Sequence, residues 1–213
     1  MQPITNRFPI NEGLKNRHVD LAVIIPTRNR SSIIKKNLTH NLNTICSSSK
    51  KFNKSVRVIV VDDCSEDKTP DILCELTKTQ SNLEIIFLDS NKGPGIARNI
   101  GASGVSADWL WFLDDDDTLD PLALAKLMPA LNIDCDVLAH SLSENLQPTD
   151  DGFNANALAN EVIMFREKQE VFNYVFRNKF YQNNSIYFSS GLHEDIRVVF
   201  ECLTKCDKLF ILN

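Results

Sequence analysis

Apolar residues in this chain gather in short continuous runs, and between the runs they recur at helical spacing. Leu21-Ala22-Val23-Ile24-Ile25, closed by Pro26, predicts a first strand, and Ile33 to Ile45 predicts a helix. Val56 to Val61 predicts a second strand, after which Thr69-Pro70-Asp71 opens a helix with a capping residue and a proline at its first position. Leu83 to Leu88 reads as a third strand, Gly93 to Gly104 as a helix rich in small residues, and Ala107 to Leu113 as a fourth strand. Asp120-Pro121 caps a further helix, and Cys135 to Leu142 forms a fifth strand. Strands that are apolar along their whole length are buried on both faces. The pattern therefore predicts an α/β fold with a mostly parallel central sheet and helices on both sides.

After Ser141 the alternation weakens. Ser143 to Asn160, rich in Asn, Asp, Ser and Pro, reads as one long loop, a length that in a compact domain serves function or lacks order. Glu161 to Phe165 reads as a strand, Glu167 to Phe180 as an aromatic-bearing helix, Glu194 to Lys205 as the final helix and Leu209 to Leu212 as the last strand. The first twenty residues are polar and aperiodic and form an N-terminal arm, and the domain proper begins at residue 21.

Composition mainly excludes. A chain of 213 residues supports one domain with a sizeable core, and a net charge of -5 gives no reason to expect a nucleic-acid binder. No apolar run reaches membrane length and no signal-peptide pattern is present, so the chain reads as cytoplasmic. Contact with the inner face of a membrane would run through a partner or a further segment. The six cysteines are scattered with no CxxC pair and read as reduced thiols; Cys202 and Cys206, four apart on a helix, read as packing.

The candidate chemistry lies where the strands end, because open parallel sheets bind ligands beyond the carboxyl ends of their strands. Strand one is followed by Pro26-Thr27-Arg28-Asn29-Arg30, strand two by Asp62-Asp63-Cys64-Ser65, and strand three by Asp89-Ser90-Asn91-Lys92-Gly93. Strand four is followed by four consecutive aspartates, Asp114 to Asp117. Adjacent carboxylates repel one another unless something positive gathers them, and a hard divalent cation prefers carboxylate oxygen. A solvated acidic turn is the plain alternative, and an aspartate after a strand often serves only as a turn or helix cap.

Four segments in order resemble a family 2 glycosyltransferase of the GT-A fold: Val-Ile-Ile-Pro-Thr-Arg-Asn (23–29), Val-Val-Asp-Asp-Cys-Ser-Glu-Asp-Lys-Thr (60–69), Asn-Lys-Gly-Pro-Gly-Ile-Ala-Arg-Asn-Ile-Gly (91–101) and Phe-Leu-Asp-Asp-Asp-Asp-Thr-Leu-Asp-Pro (112–121). A fifth, Gly-Leu-His-Glu-Asp-Ile-Arg (191–197), stands about where that family keeps its catalytic carboxylate. The resemblance covers roughly residues 20 to 210. It implies a Rossmann-like sheet and a metal-dependent, inverting hexosyl- or N-acetylhexosaminyl-transferase acting on a nucleotide-sugar, UDP-sugar favoured. The acceptor would be a hydroxyl of a saccharide or lipid-linked saccharide, in the assembly of surface polysaccharide or glycan. Residues 21–120 would form the nucleotide-sugar half and 121–213 the acceptor half. Relatives often continue past this point, so the acceptor half is expected to be truncated.

The resemblance also implies roles. Asp63, with Asp62 the weaker choice, would accept from uracil, Pro26 would offer backbone contact to the base, and Thr27 and Arg28 would belong to the same binding segment. Gly93 would permit close backbone approach, and Arg98 would lie near the nucleotide or form a buried salt bridge to one of the aspartates. Counting back from Pro121 aligns the family's DxD with Asp114 and Asp116: Asp116 binds Mn²⁺ or Mg²⁺ with Asp114 as the second candidate, Asp114 or Asp115 contacts ribose or nucleotide, and Asp117 caps or orients. Asp195 is the general base, Glu194 its competitor, His193 a helix cap or pocket wall, and Lys92 a surface residue within reach of the diphosphate. Donor and acceptor choice would lie in Ser143–Asn160 and Phe165–Gly191.

Other readings fit less of the chain. Asp114 to Leu119 also matches the DxDxT pattern of haloacid-dehalogenase-like phosphatases, whose first Asp is a nucleophile, but those carry it on an early strand and with a downstream acidic pair that is lacking here. Gly93-Pro-Gly95 lacks the third glycine of a dinucleotide fingerprint, and Asp63 to Asp67 lacks the mid-loop Gly and closing Glu of a calcium loop. A catalytically inactive nucleotide-sugar-binding domain is the non-enzymatic alternative.

Overall fold

Seven strands in the order β3-β2-β1-β4-β6-β5-β7 form one sheet in the computed structural model, which describes residues 17–140, 155–163, 170–191 and 193–212. The strands are β1 Val19–Thr27, β2 Val56–Asp62, β3 Leu83–Phe87, β4 Ala107–Phe112, β5 Val137–His140, β6 Tyr174–Arg177 and β7 Leu209–Leu212. β6 runs antiparallel to both neighbours; every other pairing is parallel. The helices are α1 Ile34–Phe52, α2 Thr69–Thr77, α3 Pro94–Ala102, α4 Pro121–Ala130, α5 Ala155–Ile163, α6 Asn178–Asn183 and α7 Glu194–Lys205.

Successive residues of a strand point to opposite faces, and here both faces are covered. Leu21, Val23, Ile25, Val58, Val60, Trp109 and Trp111 pack with α1, α2 and α4 on one side. Ala22, Ile24, Ile59, Val61, Leu110, Phe112 and Phe176 pack with α3, α5, α6 and α7 on the other. That double burial is why the strands read as unbroken apolar runs. The register then aligns the strand ends: Thr27 pairs with Asp62, Asp62 with Phe87, and Ile24 with Phe112. The polar segments that follow β1, β2, β3 and β4 emerge along one edge.

The first four strands, α4, α7 and β7 form where the pattern predicts them, and Asp120 caps α4 by accepting from the Leu122 amide at 2.9 Å. The second half departs from it. Asn160 and the residues before it back to Ala155 are helical, so the expected loop is cut short by α5, and Glu161 to Ile163 continue that helix instead of making a strand. Ser143 to Asn154 and Met164 to Gln169 lie outside the described residues. Burial of Leu158, Ala159 and Val162 outweighs the modest helix propensity of an Asn-rich segment. The aromatic helix expected over Glu167–Phe180 is replaced by a single 3₁₀ turn at Val171–Asn173, β6 and α6. Tyr174 and Phe176 face one side of the sheet and Val175 the other, a two-residue period that the aromatic spacing concealed. Thr69 also differs from expectation: it is the first residue of α2 rather than its cap, its amide held by Asp67 Oδ1 at 2.9 Å.

Candidate active site

A cleft of about 650 Å³ opens at the aligned strand ends, a volume suited to a small-molecule ligand. Pro26, Thr27, Arg28 and Arg30 line it from the β1 segment, Asp63 from the β2 segment, Asn91, Gly93 and Pro94 from the β3 segment, and Arg98 from α3. Asp114, Asp115 and Asp116 line it from the β4 segment, and Glu194 and Asp195 from the first turn of α7. Of the residues expected to bind the nucleotide-sugar, hold the metal or act as base, all but Asp62 line this cavity; Lys92, Asp117 and His193 do not. Asp62 stays behind it, where its buried carboxylate accepts from the Ser65 amide and hydroxyl and burial raises its pKa.

Asp63 organises the neighbouring loop. Its two carboxylate oxygens accept from the Lys92 amide at 2.7 Å and the Gly93 amide at 2.8 Å. Gly93 sits at φ +87°, a conformation that side-chain-bearing residues rarely adopt, and it hands the chain directly into Pro94 at the start of α3. Lys92 turns away, its Nζ on Ser90 Oγ at 3.1 Å. Two residues on, a Cβ at Gly95 would stand 2.7 Å from the Ser189 carbonyl oxygen and 3.0 Å from the Glu194 side chain. The bare glycine lets the α7 lead-in close over α3.

The four aspartates are held differently from one another. Asp115 is buried, with 6% of its side chain exposed; it accepts from the Thr27 hydroxyl at 2.6 Å and pairs with Arg30 Nε at 3.2 Å. Burial raises its pKa, opposed by those two partners. Asp114 and Asp116 are about half exposed, at 47% and 56%. Asp114 gives one oxygen to Arg98 Nη2 at 2.5 Å, and Asp116 approaches Arg30 Nη2 at 3.7 Å. Asp117, whose pKa burial also raises, turns back to accept from the Asp114 amide at 3.3 Å. Among the described residues no three His, Cys, Asp or Glu side chains form a ready-made cation cage. Asp116 and the second oxygen of Asp114 are nonetheless accessible hard donors on the cleft wall, the type a divalent cation takes.

Arg98 joins the two acidic groups. It is buried, and its Nη1 donates to Glu194 Oε1 at 2.8 Å while Nη2 holds Asp114. Its guanidinium lies over Phe188, 5.2 Å from the ring centroid. Asp195 next in sequence has no ion pair among the described residues; Oδ1 accepts from the Ile196 amide at 3.0 Å. Burial, helped by the Glu194 charge, raises its pKa. His193 is exposed at φ 60° and gives α7 no side-chain cap bond.

Three lining residues escaped the sequence reading. Asn91 and Pro94 sit inside motif segments, but nothing in their identity marks them as lining. Arg30 meets the acids just past a bend at which Asn29 adopts φ 52°. That bend is stitched to the β2 loop: the Asn29 amide donates to Ser65 Oγ, Asn29 Oδ1 accepts from the Glu66 amide, and the Arg30 amide donates to Thr69 Oγ1. The run Asn29 to Ser31, with Ser65, Asp67 and Thr69 opposite, was the available signal.

The sequence matches the family described as glycosyl transferase family 2 over residues 22–189. Among curated relatives, the GalNAc(5)-diNAcBac-PP-undecaprenol beta-1,3-glucosyltransferase of Campylobacter jejuni is 35% identical over 114 residues, which is 53% of this chain and 34% of that enzyme. Across the most similar curated relatives the matched segment makes up only 21% to 41% of their length. Staphylococcus aureus TarS 1-349 in complex with UDP-GlcNAc shares the fold at a TM-score of 0.68 and 22% identity, over 91% of this chain and 56% of that one. The Pyrobaculum calidifontis mannosyltransferase PcManGT, in complex with GDP-Man and Mn²⁺, shares it at 0.62 and 13% identity, over 92% and 55%. At such identities the likeness is one of fold, and it is the GT-A fold expected from the motifs. The family match spans well over half of the chain, and the chain belongs to glycosyl transferase family 2.

Proposed function

We propose that this chain is the catalytic domain of an inverting glycosyltransferase that moves a sugar from a nucleotide-sugar, most readily a UDP-sugar, to a hydroxyl of a saccharide or lipid-linked saccharide. The observation that carries the reading is that one cleft gathers Asp63 from the β2 end, the accessible carboxylates of Asp114 and Asp116 from the β4 end, and Asp195 from α7. The ligands of the two fold neighbours, UDP-GlcNAc in one and GDP-Man with Mn²⁺ in the other, are of this class. The Campylobacter relative, a glucosyltransferase named for a lipid-diphosphate-linked glycan, supports glycan assembly as the setting.

In this reading Pro26, Thr27, Arg28, Asp63 and Gly93 surround the nucleotide, and residues 21–120 form the donor half, with 121–213 on the acceptor side. Asp116, with Asp114, holds Mn²⁺ or Mg²⁺; when bound, the cation neutralises charge on the departing diphosphate. Asp195 accepts the proton of the acceptor hydroxyl as that oxygen bonds to the anomeric carbon, while the bond from carbon to the diphosphate oxygen breaks and the nucleoside diphosphate leaves with the electron pair. A carboxylate whose pKa is raised by burial is a stronger base than one in water, and Glu194, tied to Arg98, is the weaker candidate. Among the described residues no helix is long and apolar enough to cross a membrane, and contact with one would run through a partner or a further segment.

The test is a thermal-shift screen of nucleotide-sugars with Mn²⁺, since a ligand that binds only the native state raises its melting temperature. UDP-sugars are expected to give the largest shifts, and hydrolysis or transfer should follow for one of them. Binding without any turnover would favour the inactive binding domain, and no shift with any nucleotide would refute the reading.

A further inference from the structure

We infer that Asn41 and Asn37 of α1 are positioning residues that hold the acidic loop by its backbone and so present Asp116 and the second oxygen of Asp114 to a cation and a diphosphate. The inference rests on the proposed function. Its observation is independent of the motifs, because neither residue lies in any of them.

The buried face of α1 is Ile34, Leu38, Asn41, Leu42, Ile45 and Ser48. At Asn41, 2% exposed, an apolar residue would pack against the sheet without a polar group to satisfy. Instead Asn41 Nδ2 donates to the Asp117 carbonyl at 2.9 Å, and Asn41 Oδ1 accepts from the Leu119 amide at 2.9 Å. One turn earlier, Asn37 Nδ2 reaches the Asp115 carbonyl at 3.3 Å and the Asp116 carbonyl at 3.5 Å. Residues four apart lie on one helix face, so the two amides form a short ladder along residues 115 to 119. His40, between them, meets the Leu119 carbonyl through Nε2 at 3.1 Å.

The choice of neutral amides is what makes the arrangement functional. Four neighbouring carboxylates repel and push their loop outward. A lysine or arginine in place of Asn41 would hold the loop by neutralising the acids, and would compete with a cation for them. An amide bound to main-chain carbonyls restrains the loop and leaves the charge in place. The side-chain attachments act elsewhere: Thr27 and Arg30 hold Asp115, Arg98 holds Asp114, and half-exposed Asp116 has only the 3.7 Å approach of Arg30. Asn37 and Asn41 therefore set where the Asp116 carboxylate sits without touching it.

The test compares wild type with Asn41→Leu, which makes the seam apolar, and with Asn37→Ala, which places the best helix former at a partly buried helix position and so limits the cost to the fold. Binding of UDP is measured by calorimetry with and without Mn²⁺, well below each variant's melting temperature. The expected result is about a tenfold loss of UDP affinity with Mn²⁺ for Asn41→Leu, a smaller loss for Asn37→Ala, and unchanged metal-free UDP binding in both. It corresponds to about 1.4 kcal/mol by the standard conversion. The Mn²⁺ concentration for half-saturation should rise in parallel. Variants that lose melting temperature yet bind UDP and Mn²⁺ as wild type does would overturn the inference alone. A wild-type protein that binds neither would overturn the inference together with the proposed function.

Discussion

Arg98 reaches Glu194 at 2.8 Å across 96 residues of sequence, while the adjacent Asp195 has no ion pair among the described residues. Two neighbouring carboxylates at the start of α7 are thereby made unequal. One is fixed and charge-balanced; the other is partly buried, and its pKa is raised first by that burial and further by Glu194. A residue that must accept a proton in a sugar transfer gains from such a shift, and under the proposed function this asymmetry favours Asp195 over Glu194 as the base.

The pH dependence follows from that shift. Protonated Asp195 cannot serve as base, so transfer should rise with pH through the folded-state pKa, which lies above the ordinary aspartate value of 3.8. A profile of kcat against pH should therefore show an acid limb displaced upward from 3.8, and Glu194→Gln should move it downward by removing a repulsive charge. An unmoved limb in that variant would separate Glu194 from the titrating group.

The same shift has the opposite sign for stability. A carboxyl whose folded pKa is raised contributes stability that is fully present below its unfolded pKa and is lost as pH rises through the folded value. At neutral pH the charged Asp195 therefore weakens the fold. Asp195→Asn, which keeps an oxygen for the Ile196 amide, should melt at or above the wild-type temperature at neutral pH, and the gap should close in acid. Thermal melts across that range check both halves of the prediction.

Removing Arg98 should cost more than the site. Arg98→Met leaves Glu194, 12% exposed, as an uncompensated buried charge, whereas half-exposed Asp114 regains water. The expected loss is about 3 kcal/mol, the low end for breaking a buried pair. Urea unfolding reads it, and adding Glu194→Gln should recover much of it.

Gly95 offers a purely steric test. Its substitution by Ala drives a methyl to 2.7 Å from the Ser189 carbonyl, so the segment leading into α7 must shift. Overpacking of this kind costs about 1–3 kcal/mol, and displacement of Asp195 should lower kcat more than it lowers UDP binding. Steady-state kinetics beside UDP calorimetry distinguishes the two effects.

The first half of the fold was legible because each of its strands is buried on both faces and so writes an unbroken apolar run. Val171 to Arg177 was not, because β6 joins the sheet between β4 and β5 by antiparallel pairing, a tertiary contact with no local mark. The α5 segment hid behind asparagines whose helical state is set by packing. In the site, motif spacing brought Asp63, Asp114, Asp115, Asp116, Glu194 and Asp195 to the cleft, whereas Asp62 holds Ser65 and Asp117 turns back to the Asp114 amide. Arg30 depends on the bend at Asn29, and Asn41 lies in a helix that the apolar spacing predicts but outside every motif. Both act through backbone geometry that spacing does not encode.

The most direct measurement is the separation of binding from transfer in two variants, with Mn²⁺ and the donor found by the thermal-shift screen. Asp195→Asn is predicted to bind UDP as wild type does while losing about 10²–10⁴-fold in kcat, the range for a general base. Asp116→Ala is predicted to lose the Mn²⁺-dependent part of nucleotide binding. Wild-type transfer by both variants would contradict the assignment of base and metal ligand on which this account rests.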